Sequence, residues 1–308
     1  MRFELYNYLH PFIQKTENKK LIAIPLAVLA VALLIIAFTT IKTGSPIALG
    51  MDFVGGTQFS VTTTLTEEQL EDMFSAYPLN DIRISGNRAV LQFSLMETDE
   101  LNALEKEIRG NSAFKDIEEQ QVSPIYSEDL QRKALLAIGL SFIGMAIVVF
   151  IIFRQIIPSL AVILSAAADI IIPIAFMNIF GIELTLGTVA ALLMLIGYSV
   201  DSDILLTNKV LKRSGNLDDK ISGVMRTGML MTTTTAAAFL VMFLVSTFAH
   251  YIIPGIPPIP LMSQISLIVL IGLLADILNT WFLNVGILRT YLTNPKTRSK
   301  AKKGGRRA

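Results

Sequence analysis

"LTLGTVAALLMLIGYSVDSDILLTNK", residues 184–209, decides how the rest of the chain is read. Its first half is apolar enough for hydrocarbon, and then Asp201 and Asp203 follow without a break. A helix of about 20 mostly apolar residues crosses a bilayer. A carboxylate at its centre costs about 2.5–3.5 kcal/mol on insertion scales, so it must meet a partner or a wet cavity. Helical residues are ~100° apart, which sets the two acids roughly 200° from one another and toward different neighbours. Asp201 shares its side with Gly197, Tyr198, Leu205 and Asn208; Asp203 shares its side with Ser199, Val200 and Thr207.

The rest of the chain fits this membrane reading. Of 308 residues, 52% are hydrophobic and 17% charged, with a mean hydropathy of +0.57. Six apolar blocks, near 20–41, 134–153, 157–178, 185–207, 228–249 and 264–288, have spanning length. The first is longer than a signal-peptide core and lacks a convincing cleavage site, so it reads as a retained anchor. With no cysteine and two isolated histidines, the common Cys/His metal sites are excluded and no metal or cofactor is expected.

Charge sets the expected orientation. Residues 42–133 hold about 16 acids against about 8 bases, while the other bases lie mainly in the N-terminal arm 1–19, the 208–226 loop and the tail 291–308. The positive-inside rule then places both termini in the cytoplasm and 42–133 outside. The basic tail reads as a solvated end, or as a contact for anionic membrane lipids or a ribosome-like partner. A nucleic-acid partner is not expected.

Within 42–133 the periodicity changes from spanning to soluble. "TQFSVTT" (57–63) alternates as a half-buried strand does. "TEEQLEDMFSAY" (66–77) carries capping-box spacing at Thr66 and Gln69. A hairpin turns at Gly86-Asn87, "TDELNALEKEIRG" (98–110) forms a second helix, and "DIEEQQVSPIY" a last strand. The order β-α-β-β-α-β predicts a ferredoxin-like α+β domain between the first and second spans. The fold class is therefore an α-helical membrane protein of six spans (20–41 and five in 134–290) with one external domain. "GMDFVGGTQF" (50–59) leads into that domain; Gly55-Gly56 suits a plain turn or a close backbone approach.

The candidate functional residues are the intramembrane acids Asp169, Asp201, Asp203 and Asp276, and Arg226 at the start of the fifth span. Burial favours a neutral acid and a nearby arginine an ionised one. An Asp201–Arg226 pair could therefore take up and release a proton as its geometry changes, or could simply join the fourth and fifth spans. Thr185, Thr232 to Thr235 and Asn279 are candidate hydrogen-bond partners for Asp169 and Asp276. "TTTTAAA" (232–238) reads as a packing seam. "HYIIPGIPPIP" (250–260) reads as an external loop in which His250 is interfacial.

Several of these stretches resemble one family in one order. "GMDFVGGT", with Gly50, Asp52, Phe53, Gly55 and Gly56, resembles the signature that opens the external domain of the SecD/SecF protein-export membrane proteins. "AAADIII", "IGYSVDSDILL" and "RTGMLMTTTT" resemble that family's third, fourth and fifth spans in their SecF form, and "DILLTNKVLKR" and "ADILNTWFLNVGIL" resemble its archaeal branch. The bacterial SecF pattern puts its fourth-span acid at the position of Ser202; Asp201 stands where SecD carries one. Asp169 matches the acid of a His-Asp pair, with Ala168 in the histidine's place.

The resemblance implies a resistance-nodulation-division fold and a SecD partner in a twelve-span assembly. It also implies association with the Sec translocation channel, contact with the translocating polypeptide, use of the proton-motive force, and no enzymatic chemistry. The proton-relay role transfers by position to Asp201 and Arg226. A self-sufficient proton-coupled lipid or drug transporter of the same superfamily is the alternative. A scaffold whose acids only join helices is a third reading.

Overall fold

The computed structural model describes residues 4–212, 216–252 and 259–293. The 253–258 part of the proline-rich loop, the side chain of His250 and the tail from 294 lie outside the described residues.

Helix α1 is Glu4–Lys15. Six spans follow among the described residues, each long and apolar enough to cross a membrane, so this is a multi-pass membrane protein. They are α2 (Asn18–Thr43), α6 (Pro124–Phe153), α7 (Ile156–Phe180), α8 (Leu186–Lys212) and α9 (Leu217–Ile252), plus a composite sixth. The sixth joins α10 (Pro260–Leu278), a π-helical segment Asn279–Asn284 and α11 (Val285–Thr293). The chain reverses between α6 and α7 on Arg154, a non-glycine residue at φ 51°.

The external domain begins with the one-turn helix α3 (Met51–Val54). It continues as β1 (Gly56–Thr62), α4 (Glu67–Met73), β2 (Leu79–Ser85), β3 (Arg88–Phe93), α5 (Thr98–Gly110) and β4 (Lys115–Val122). The sheet order is β2-β3-β1-β4 with every pair antiparallel, the split pattern expected from the sequence. Alternation in β1 and β3 sends Phe59, Val61, Leu91 and Phe93 to one face, where Leu70 and Phe74 beside α4 and Leu104 and Ile108 of α5 cover them. Thr66 N donates to Gln69 Oε1 at 3.0 Å, the backward half of the capping box. Helix α4 stops at Met73 instead of reaching Tyr77, because Phe74 turns into the core against Phe93 and Phe114.

The arm before the first span is more ordered than its sequence suggests. Ile13 of α1 is buried with Leu21, Leu206, Met225 and Trp281. Tyr6 Oη and Ser222 Oγ lie 2.7 Å apart, and Arg289 donates from Nη1 to Ile13 O and from Nη2 to Asp218 Oδ1. An amphipathic α1 thus ties the start of the chain to α9 and to the end of the sixth span.

Gly56 is where the external domain is least tolerant of a side chain. Its φ is +134°, and an added Cβ would sit 2.3 Å from Phe93 O. Gly56→Ala is expected to destabilise the domain by at least about 1–3 kcal/mol, the cost of a strained backbone alone. Limited proteolysis of the full chain should then cut within residues 56–122 well below the temperature at which the wild type is cut.

Candidate functional site

Two constellations carry unusual chemistry, one at the N-terminal end of α8 and one along its middle. At its N-terminal end, the signature stretch docks on the loop from Gly181 to Thr185. Leu184 N donates to Ala48 O at 2.7 Å and Gly50 N to Leu184 O at 2.8 Å, so Leu49 and Leu184 form a short parallel bridge. A Cβ on Gly50 would meet Thr185 Cγ2 at 2.8 Å and Leu184 O at 3.0 Å. Helix α3 then aims Asp52 at the start of α8, where Leu186 N donates to Asp52 Oδ2 at 3.0 Å. The acid satisfies one orphan amide and opposes the helix dipole. Phe53 is buried against Ala134 of α6 and Val189 of α8, and its carbonyl accepts from Gln131. Gly55 and Gly56, at φ +80° and +134°, turn the chain into β1. The stretch is therefore a clamp and not a plain turn.

A second tie reinforces it. Arg83 of β2 donates to Glu183 at 2.7 Å and to Asp81 at 2.6 Å. Burial disfavours the Arg83 charge, but Glu183 and then Asp81 more than offset it and push the guanidinium pKa up. Between the open face of the sheet and the ends of the spans lies a cleft of about 660 Å³, lined among others by Asp52, Gln58, Arg83, Gln92, Thr185 and Gln264.

Further along α8 the structure gathers three of the four membrane acids into one seam. Asp169 (α7), Asp203 (α8) and Asp276 (α10) are 1%, 0% and 2% exposed. Ser199 Oγ donates to Asp169 Oδ2 at 2.5 Å and Asn279 Nδ2 to Asp169 Oδ1 at 2.6 Å. Ser202 Oγ donates to Asp276 Oδ1 at 3.0 Å. Thr280 Oγ1 lies 2.8 Å from Asp203 Oδ1 and 3.0 Å from Asp276 Oδ1, and Asn284 Nδ2 donates to Asp203 Oδ1 at 2.9 Å.

Donor counting shows what this seam requires. Thr280 has one hydroxyl hydrogen and two carboxyl oxygens within reach, so it satisfies one at a time. No Lys, Arg or His forms an ion pair with any of the three acids among the described residues. Three negative charges without a counter-charge are too costly in a dry bundle, so protons or a bound cation must share the seam.

The π-helical segment explains the convergence. In an α-helix, positions four apart overshoot a full turn by about 40°. The wider π turn rotates back and brings both Thr280 and Asn284 onto Asp203 Oδ1.

The expected Asp201–Arg226 pair is not formed. Both residues are exposed, and no ion pair joins them. Lys220 Nζ reaches Val210 O and Tyr198 stacks edge-on with Phe239, which fixes the antiparallel register of α8 and α9. Arg226 is thereby set on the order of 5–15 Å along the axis beyond Asp201. The helical wheel leaves open which acid faces inward: Asp203 points into the bundle and Asp201 out of it.

Of the proposed hydrogen-bond partners, Asn279 is used. Thr185 instead pairs with Thr188 at the start of α8, and the hydroxyls of Thr233 and Thr234 return to carbonyls of their own helix. Ser199, Ser202, Thr280 and Asn284 were not foreseen. Their signal is present: Asp276, Thr280 and Asn284 recur every fourth residue, a polar stripe along an otherwise apolar span.

Comparison with known proteins bears on the family and the fold. The family described as Protein export membrane protein SecD/SecF, C-terminal, matches residues 103–294. The chain is 42% identical over 294 residues to the Protein-export membrane protein SecF of Methanolacinia petrolearia, covering 96% of this chain and 98% of that one. It is 41% identical over 284 residues to the protein of the same name from Haloferax volcanii, covering 91% and 95%. Among solved structures, SecDF of a Thermus species, described as a translocon-associated membrane protein, superposes with a TM-score of 0.73 at 18% identity. That match covers 92% of this chain and 38% of SecDF, and it speaks to the fold alone.

Asn279→Ala is expected to leave Asp169 Oδ1 without its donor and to cost about 1–3 kcal/mol. Asp169→Asn, which keeps the shape, can still accept from Asn279 through its amide oxygen and can donate to Ser199 Oγ, so it should cost less. Thermal unfolding of the purified chain in detergent reports the difference.

Proposed function

The chain belongs to the SecD/SecF family of protein-export membrane proteins, and on that premise we propose that it is an accessory subunit of Sec protein export. It pairs with a SecD-type chain, associates with the translocation channel and draws on the proton-motive force. It lies in the cytoplasmic membrane with both termini inside and residues 42–133 outside, a reading that the distribution of basic residues supports. The external domain meets the emerging polypeptide, and no covalent chemistry is done on that cargo.

One observation carries the pairing. Asp201 and Arg226 are exposed on adjacent membrane helices. Charges at that depth need a polar companion, and among the described residues the chain supplies none to Asp201. A second bundle laid against α8 and α9 supplies it, and the span of 38% of SecDF is consistent with a half-assembly completed by another chain. Asp201 and Arg226 then form a relay across the interface, each answering to a group on the partner. The same geometry argues against a self-sufficient transporter, in which one chain would carry both bundles.

The test is export of a reporter into vesicles holding this chain, a SecD-type chain and the channel, with and without an imposed proton gradient. Asp201→Asn and Arg226→Met should each lower the gradient-dependent part of the rate roughly 5–150-fold, the range of an ordinary coupling free energy. Wild-type stimulation in both variants would remove the relay. Recovery of the tagged chain from native membranes without a SecD-type chain would remove the pairing.

A further inference from the structure

Four oxygen atoms around Asp203 remain when the hydrogen bonds of the seam are assigned. They are Asp203 Oδ2, Ser165 Oγ, Thr207 Oγ1 and Asn284 Oδ1, and among the described residues none has a hydrogen-bond partner at ordinary distance and angle. All four residues are fully buried, at 0% exposure. They arrive from three spans: Ser165 from α7, Asp203 and Thr207 from α8, and Asn284 from the π-helical segment.

Their placement is convergent. Asn284 abuts Asp203 through Nδ2, 2.9 Å from Oδ1. Thr207 lies one helical turn from Asp203 on the same face. Ser165 is close enough to Asp203 to act on its charge, yet its hydroxyl makes no hydrogen bond of ordinary geometry. Buried polar atoms are rarely left unpaired, and four on residues grouped around one carboxylate call for a common partner.

The atoms specify that partner. All are oxygens, the donors that hard cations take. Only one belongs to a carboxylate, so a single positive charge balances the set. Among the described residues no three His, Cys, Asp or Glu groups are gathered as a multivalent metal would require. Asp169 and Asp276 are already engaged by Ser199, Asn279, Ser202 and Thr280. Departures from α-helical geometry inside a span are where membrane proteins hold Na⁺ and protons. The neighbours Leu206 and Trp281 are also fully buried, so the surroundings are close-packed and favour a small ion.

We propose that Ser165, Asp203, Thr207 and Asn284 bind one dehydrated monovalent cation of sodium size between α7, α8 and the sixth span. The ion neutralises Asp203 inside the bundle and links three segments that no ion pair joins. Its binding is a property of this chain alone, so its test stands apart from how export is driven.

Trp281, the only tryptophan in the chain, lies three residues before Asn284 and reports on the segment. The purified full chain in detergent is titrated with NaCl against choline chloride at constant pH and ionic strength, and Trp281 fluorescence and the thermal midpoint are followed. A single saturable change with Na⁺ is expected, with none for choline and at least a tenfold weaker one for K⁺. Asp203→Asn should abolish it. Thr207→Val and Ser165→Ala should each weaken the apparent affinity roughly tenfold, the consequence of losing about 1.4 kcal/mol. Glu67→Gln on the exposed start of α4 should leave it intact.

Equal responses to Na⁺, K⁺ and choline would overturn the proposal. So would a response to pH that Na⁺ does not compete with, which would mean that Asp203 simply carries a proton. Wild-type affinity in both hydroxyl deletions would also overturn it. Those two variants keep the test decisive if Asp203→Asn does not fold.

Discussion

A carboxyl group inside a hydrocarbon slab has to be answered by something, and the answer organises this bundle. Asp169, Asp203 and Asp276 lie on three different helices, and their donors come from across the helix interfaces. Lipid tails give helices no hydrophobic reason to associate, so cross-helix hydrogen bonds and close packing decide which faces meet. Ser199 of α8 selects α7; Ser202 of the same helix selects the sixth span. Close approach supports this: Gly272 of α10 packs directly under Leu195 of α8, and Gly228 of α9 under the ring of Trp281. The polar seam and the small residues around it are one device, since the hydrogen bonds need backbones near enough to reach.

Helix α8 is common to both constellations. Its N-terminal end is held by Asp52 and by the Gly50–Leu184 bridge; its middle carries Ser199, Ser202 and Asp203. Arg83 adds an ion pair from the sheet to Glu183, just before the same helix begins. One helix therefore connects the clamp on the external domain with the acids of the seam. The clamp combines these polar contacts with a small apolar cluster in which Phe53 is buried against Ala134 and Val189.

Much of this architecture is legible in the sequence, for reasons that differ by element. The spans follow from apolar length. The β-α-β-β-α-β order follows from period-two and period-3.6 patterns, from the capping pair Thr66–Gln69 and from the turn at Gly86-Asn87. The helical wheel also separates Asp201 from Asp203 correctly. It cannot say which side is inside, because both sides of α8 hold apolar residues and the choice depends on neighbours far away in the chain. The residues beside each acid carry a hint: Ser199, Val200 and Thr207 are small or compact, while Tyr198 and Asn208 are larger and partly exposed. The π-helical segment left no readable mark. Its wide turn is stabilised by the contacts of Asn279, Thr280 and Asn284 with other helices, and single-sequence periodicity contains none of those. Helix α1 is amphipathic in its own sequence, but what covers its apolar face, α9 and the sixth span, lies far away in the chain.

The distribution of burial among the spans leads one step further. Helices α7 and α8 bury 56% of their most apolar windows, whereas α2, α6 and α9 bury 22%, 6% and 17%. For α2 and α6, with long aliphatic exteriors, lipid is an adequate solvent and no partner is needed. The exposed side of α8 differs because Tyr198 and Asp201 occupy it, one turn apart, and α9 adds Arg226. Lipid is a poor solvent for that surface, and water reaches it only near the membrane boundary. A bundle that spends its internal donors on three acids and leaves a fourth outside has two electrostatic problems with two separate answers. The inner seam is answered by hydroxyls and amides of the chain's own residues. Asp201 and Arg226 meet no such group among the described residues, so on the proposed reading a partner laid against that face would neutralise them as it assembles.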